Sequence, residues 1–125
     1  MSARVLVVDD ETALGDILRE LLEFEGYEVT VVEDERAARG ELSKGSYNLA
    51  LLDVFLSDGP HGLDLADFIL KEYPNVGIVL MTGYADRIDI ERACLSGAYS
   101  CIAKPFNLGD VSRIVGMTLE CARAA

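Results

Sequence analysis

The chain has 125 residues and is half hydrophobic, which excludes disorder and predicts one domain, residues 1–125, around one core. Its formal net charge of -11 argues against direct binding to nucleic acid or an anionic membrane, because polyanions attract basic surfaces. A basic partner surface or bound cations are the expected counterparts.

Val5–Val8 is a short apolar run that reads as a buried strand, followed by Asp9, Asp10 and Glu11. That run is too short for a signal peptide, and nothing approaches a membrane span, so a cytoplasmic location is expected. Leu14, Ile17, Leu18, Leu21 and Leu22 then recur at helical spacing, with Gly26 as the stop. Tyr27–Val32 is β-branched and reads as a second strand. A short helix over Glu35–Leu42 and a Lys44-Gly45-Ser46 turn lead to a third strand, Leu49–Leu52, closed by Asp53.

Ser57-Asp58-Gly59-Pro60-His61-Gly62 is a turn-rich loop. Leu63–Tyr73 is predicted as a helix that ends before Pro74, and Val76–Met81 as a fourth strand followed by Thr82-Gly83. A weakly amphipathic helix is expected over Asp86–Leu95 and a fifth strand over Ala98–Ala103, ended by Lys104-Pro105. Leu108, Val111, Ile114, Val115 and Leu119 mark a final helix. Strands alternating with helices predict a parallel sheet covered on both faces by right-handed crossovers. A chain ending at Ala125 is either a complete one-domain protein or a domain of a longer one. Cys94, Cys101 and Cys121 are odd in number and widely spaced. They suggest neither a disulfide framework nor a zinc site, and read as free cysteines buried as small apolar residues in a reducing cytosol.

Chemistry in an open α/β sheet sits beyond the carboxyl ends of its strands. Four strands here end in a reactive residue: Asp9-Asp10, Asp53, Thr82 and Lys104. If the first and third strands are neighbours, three carboxylates converge. Two carboxylates about 5 Å apart repel by roughly 3 kcal/mol at an effective dielectric near 20, so such a pocket needs a cation. Oxygen ligands without histidine or cysteine favour magnesium. Asp53 would attack phosphorus to form an acyl phosphate, Lys104 would hold a phosphoryl oxygen as a point charge, and the Thr82 hydroxyl would donate to another. Taken singly, each has a plainer reading: Asp9 or Asp10 as a helix cap, and Asp53, Thr82 and Lys104 as turn residues.

The ordered set Val7-Val8-Asp9-Asp10-Glu11, Leu51-Leu52-Asp53, Met81-Thr82-Gly83 and Ala103-Lys104-Pro105-Phe106 resembles the receiver domains of two-component response regulators, over essentially the full chain. The resemblance implies a flavodoxin-like α/β fold: a five-stranded parallel sheet in the order 2-1-3-4-5, with five helices on its two faces. It implies that Asp53 takes a phosphoryl group from a phosphohistidine on a sensor histidine kinase or phosphotransfer protein. Asp10, Asp53 and the main-chain carbonyl of Phe55 would hold Mg2+, with Asp9 acting through water. Thr82 would reorient, Lys104 would pair with the phosphoryl group, and the Lys104–Pro105 bond would be cis. Output would leave by the fourth helix, fifth strand and fifth helix, about Asp86 to Cys121, towards an unknown downstream protein or output domain. The domain would be a non-enzyme that accepts, and hydrolyses, its own phosphoryl group.

Two departures stand out. The family has an aromatic ring three residues before the lysine, where this chain has Cys101, so Tyr84 is expected to move in its place. The family has a proline four residues and a glycine eight residues after the aspartate; here Ser57 and Gly62 stand four and nine residues on, so the loop reads as one residue longer, and its His61 reads as plain surface. The alternatives are a haloacid-dehalogenase-type phosphohydrolase, for which Asp9-Asp10 is the wrong spacing, and a phosphorylation-independent interaction module on the same fold.

Overall fold

The computed structural model describes residues 2–54, 56, 61–83, 100–104 and 106–124. They build β1 (Arg4–Val8), α1 (Thr12–Phe24), β2 (Glu28–Val32), α2 (Glu35–Lys44), β3 (Leu49–Asp53), α3 (His61–Glu72), β4 (Gly77–Thr82), β5 (Ser100–Ala103) and a C-terminal helix (Leu108–Ala124). The helix predicted over Asp86–Leu95 lies outside the described residues.

Successive side chains of a strand face opposite sides of its sheet, and the inner strands of this chain are apolar on both. Val5 and Val7, Leu49 and Leu51, and Val79 and Met81 enter one core, against Leu18 and Leu22 of α1 and Val111, Val115 and Leu119 of the C-terminal helix. Leu6 and Val8, Ala50 and Leu52, and Ile78 and Leu80 enter the other, against Ala38 and Leu42 of α2 and Leu65, Ala66 and Ile69 of α3. Fully burying one such leucine is worth about 2 kcal/mol. Every strand pair is parallel and the sheet order is β2-β1-β3-β4-β5. This is the flavodoxin-like order, with β3 central and buried along its whole length.

Local chemistry sets the helix ends. Asp34 caps α2 by accepting the Ala37 N–H at 2.7 Å, and Asn107 Oδ1 accepts the Asp110 N–H at 2.8 Å at the start of the C-terminal helix. Gly26 stops α1 as expected: at φ 96° it donates to Glu23 O at 3.0 Å while Tyr27 N–H reaches Leu22 O at 3.1 Å, the paired bonds of a left-handed helix terminus. A Cβ on Gly26 would meet nothing within 4 Å, so backbone strain alone sets the cost of adding one. Gly26→Ala should destabilise the fold by about 1 kcal/mol, read as a lower urea midpoint with an unchanged slope.

One expectation fails. Cys101 is disulfide-bonded, not free, and Cys121, though free, is exposed rather than buried; Cys94 lies outside the described residues. Sequence spacing carries no information about which sulfurs a crossover brings together.

Candidate functional site

Val8 and Leu52 are partners in the β1–β3 register. One residue further, Asp9 and Asp53 therefore leave the sheet side by side, on strands about 4.8 Å apart. By alternation both take the face of Val7 and Leu51. Asp53 is also opposite Met81, and Thr82 is opposite Ala103, so Lys104 follows one step beyond. The Lys104 N–H donates to Thr82 O at 2.6 Å and the Val54 N–H to Met81 O at 3.0 Å, which ties the three strand ends together.

Carboxylate oxygens of Asp9, Asp10 and Asp53 lie within 4.8 Å of one another. Asp9 is wholly buried and Asp53 nearly so, whereas Asp10 is exposed. Lys104 Nζ donates to Asp53 Oδ2 at 2.9 Å and stands 3.8 Å from Asp9 Oδ2. Asp9 Oδ1 accepts the Glu11 N–H at 2.8 Å, but its Oδ2 is buried without a hydrogen-bond partner. Burial pushes the Asp9 carboxyl up to about 6, against the Glu11 N–H and the Lys104 charge, with Asp53 and Asp10 adding repulsion. For Lys104, burial pulls the ammonium down. The hydrogen bond to Asp53 and the charges of Asp53, Asp9 and Glu11 outweigh it and hold the group above the ordinary lysine value.

The site thus has more negative charge than one lysine offsets, hard oxygen donors, and a buried carboxylate oxygen with no donor. That donor set fits a divalent cation of the magnesium class. The Thr82 side chain is buried, and its hydroxyl donates to Gly83 O at 2.9 Å.

Asp9, Asp10, Asp53 and Lys104 are brought together, with Thr82 at the adjoining strand end. Cys101 is not among them: it is opposite Leu80 and packs against the α2–α3 core. Phe55, Tyr84, Tyr99, Pro105 and the side chain of His61 lie outside the described residues. Neither Asp9 nor Asp10 is the cap residue of α1. That residue is Glu11, whose side chain makes no capping bond. Two contributors escape a reading of the sequence. The Glu11 N–H orients Asp9, and the aspartate two residues earlier is its local signal. Gly62 packs on the Asp53 backbone; the resemblance marks a glycine after the aspartate but not this contact.

The family described as response regulator receiver domain matches residues 5–115. The nitrogen assimilation regulatory protein NtrX of Azorhizobium caulinodans is 34% identical over 124 residues, which are 98% of this chain and 27% of that protein. The DNA-binding response regulator MtrA of Mycobacterium tuberculosis is 35% identical over 106 residues, 85% of this chain and 46% of that one. A CheY-like response regulator receiver domain protein from Methanospirillum hungatei superposes with a TM-score of 0.90 at 30% identity, covering 99% of this chain and 98% of that one. The chain spans less than half the length of the curated relatives named here.

Proposed function

Because the chain belongs to the response regulator receiver domain family, we propose that residues 1–125 are one receiver domain in which Asp53 accepts a phosphoryl group. The observation that carries this reading is the Lys104 ammonium 2.9 Å from Asp53 Oδ2, in a pocket shared with Asp9 and Asp10.

Asp9, Asp10 and Asp53, with the main-chain carbonyl of Phe55, would hold Mg2+. When bound, the ion supplies positive charge that offsets the carboxylates and an incoming phosphoryl group. An Asp53 carboxylate oxygen attacks phosphorus, the P–N bond of a phosphohistidine breaks, and the donor's imidazole leaves with the electron pair. Lys104 passes from the Asp53 carboxylate to a phosphoryl oxygen, as a charge-assisted donor. Thr82 leaves the Gly83 carbonyl to donate to another. These exchanges make the strand ends differ between two states, which a partner engaging the segment from Asp86 to Cys121 would read.

The donor proposed is a sensor histidine kinase or a phosphotransfer protein, and the receiver of the signal is a downstream protein or an output domain. The chain modifies itself and is not a turnover enzyme. No helix among the described residues is long and apolar enough to cross a membrane, and a donor charged from ATP puts the proposed location in the cytoplasm.

With Mg2+ and acetyl phosphate the protein should gain the mass of one phosphoryl group, and Asp53→Asn should gain none. Labelling that survives the substitution overturns the assignment. One observation favours the second reading, a phosphorylation-independent interaction module: Cys101 is disulfide-bonded at the position of the family's moving ring. Partner binding that is equal for wild type and Asp53→Asn would select it.

A further inference from the structure

Gly62 stands in the first turn of α3, and its N–H donates to Val54 O at 3.0 Å. A Cβ built on it would overlap the Asp53 carbonyl oxygen. It would also come within 2.7 Å of Val54 Cα and 2.9 Å of the Asp53 carbonyl carbon. All three atoms are backbone, so no flexible side chain can yield. From the other side the Val54 N–H is held by Met81 O at 3.0 Å. The peptide that follows the acceptor is therefore clamped between β4 and α3, and the α3 side of the clamp closes only because residue 62 has no side chain.

Close approach is not general to this chain's glycines. A Cβ on Gly40 or Gly116 would meet nothing within 4 Å. At Gly62 it would push on the residue that carries the chemistry. The Asp53 carboxylate sits 2.9 Å from Lys104 Nζ, and its distances to Asp9 and Asp10 depend on where that peptide lies.

We infer that Gly62 is a positioning residue for Asp53: its missing side chain fixes the acceptor's backbone and so aims the carboxylate at Lys104 and at the cation. The inference rests on the acceptor reading and deepens it.

A displacement on the order of 1 Å in a reacting group costs roughly 100-fold in rate. Gly62→Ala should slow phosphoryl acceptance from acetyl phosphate by about that factor, even at saturating Mg2+. Mg2+ affinity, measured by calorimetry without phosphodonor, should fall about tenfold, as for other loss of support around a metal ligand. Gly40→Ala and Gly116→Ala, which add a methyl group to open space, should change neither. A folded Gly62→Ala protein with wild-type rate and Mg2+ affinity overturns the inference while leaving Asp53 as acceptor. A wild-type protein that takes no label overturns the acceptor reading itself. Should Gly62→Ala not fold, hydrogen exchange in the wild type decides. Mg2+ should slow exchange of the Gly62 amide more than that of Gly40, and an equal effect at both overturns the proposal.

Discussion

Replacing Asp9 with asparagine is expected to raise the melting temperature of the metal-free protein at pH 7 while sharply weakening its hold on Mg2+. The Asp9 carboxylate is fully buried, and one of its oxygens has no hydrogen-bond donor. Its folded pKa of about 6 lies above the ordinary 3.8. Between those values the folded state binds more protons than the unfolded state, so the Asp9 contribution to stability falls as pH rises through about 4 to 6. At pH 7 the penalty is almost fully present, on the order of 3 kcal/mol. Asparagine removes the charge but keeps an oxygen for the Glu11 N–H. Lys104 loses a neighbour at 3.8 Å but keeps Asp53 at 2.9 Å. The variant should therefore melt several degrees higher than wild type at pH 7 in the presence of chelator, and the gain should vanish near pH 4. Adding Mg2+ should reverse the order, because a ligand stabilises only the protein that binds it. Thermal melts at the two pH values, with and without Mg2+, provide the check. A variant less stable than wild type at pH 7 without metal would mean that attraction to Lys104 outweighs the cost of burial.

The sheet was readable because its inner strands are apolar on both faces, as strands of a parallel sheet covered on both sides are, and because helical spacings alternate with them. Strand order was not in the periodicity. It followed from the motif set, and the β1–β3 register then explains why Asp9 and Asp53 meet. Element ends moved where polar residues pair through the backbone. Arg4 opens β1, paired with Glu28 across the ladder, with its guanidinium 4.6 Å from the Tyr47 ring centre. Helix α3 begins at His61, two residues before its apolar face starts, because first-turn positions need no core contact. The constraint on Gly62 is tertiary: no local spacing reveals that the Asp53 carbonyl lies against it. The same holds for the orphaned Asp9 oxygen, which exists only once β1 and β3 are packed, and for the bonded sulfur of Cys101. The residue types of the site were legible; the contacts that aim them were not.

Lys104→Met should slow phosphoryl acceptance by about 100-fold, the usual cost of removing one preorganised donor from a developing anion. Methionine keeps much of the stem's apolar packing and deletes the ammonium, so the effect isolates charge. In the resting protein the same change leaves Asp53 and Asp9 facing each other without their shared cation. Breaking a buried pair costs several kcal/mol; with the Lys104 side chain 24% exposed, solvent screening reduces this to about 1–2 kcal/mol at pH 7. The pH dependence has a definite sign. Lys104 is raised above 10.5 in the folded state, so its contribution is complete below the unfolded value and is lost as pH rises through the folded one. Acid weakens it by another route, since the Asp9 carboxyl, raised to about 6, is protonated below that pH. Wild type and Lys104→Met should therefore differ in urea midpoint at neutral pH and converge as pH rises through the folded Lys104 value. Saturating Mg2+ should narrow the stability gap, because the cation supplies the missing charge. It should not restore the rate, because a metal held by Asp9, Asp10 and Asp53 cannot also occupy the position from which Lys104 donates. A Met variant that accepts phosphate at the wild-type rate would show that the 2.9 Å contact with Asp53 serves the resting fold alone.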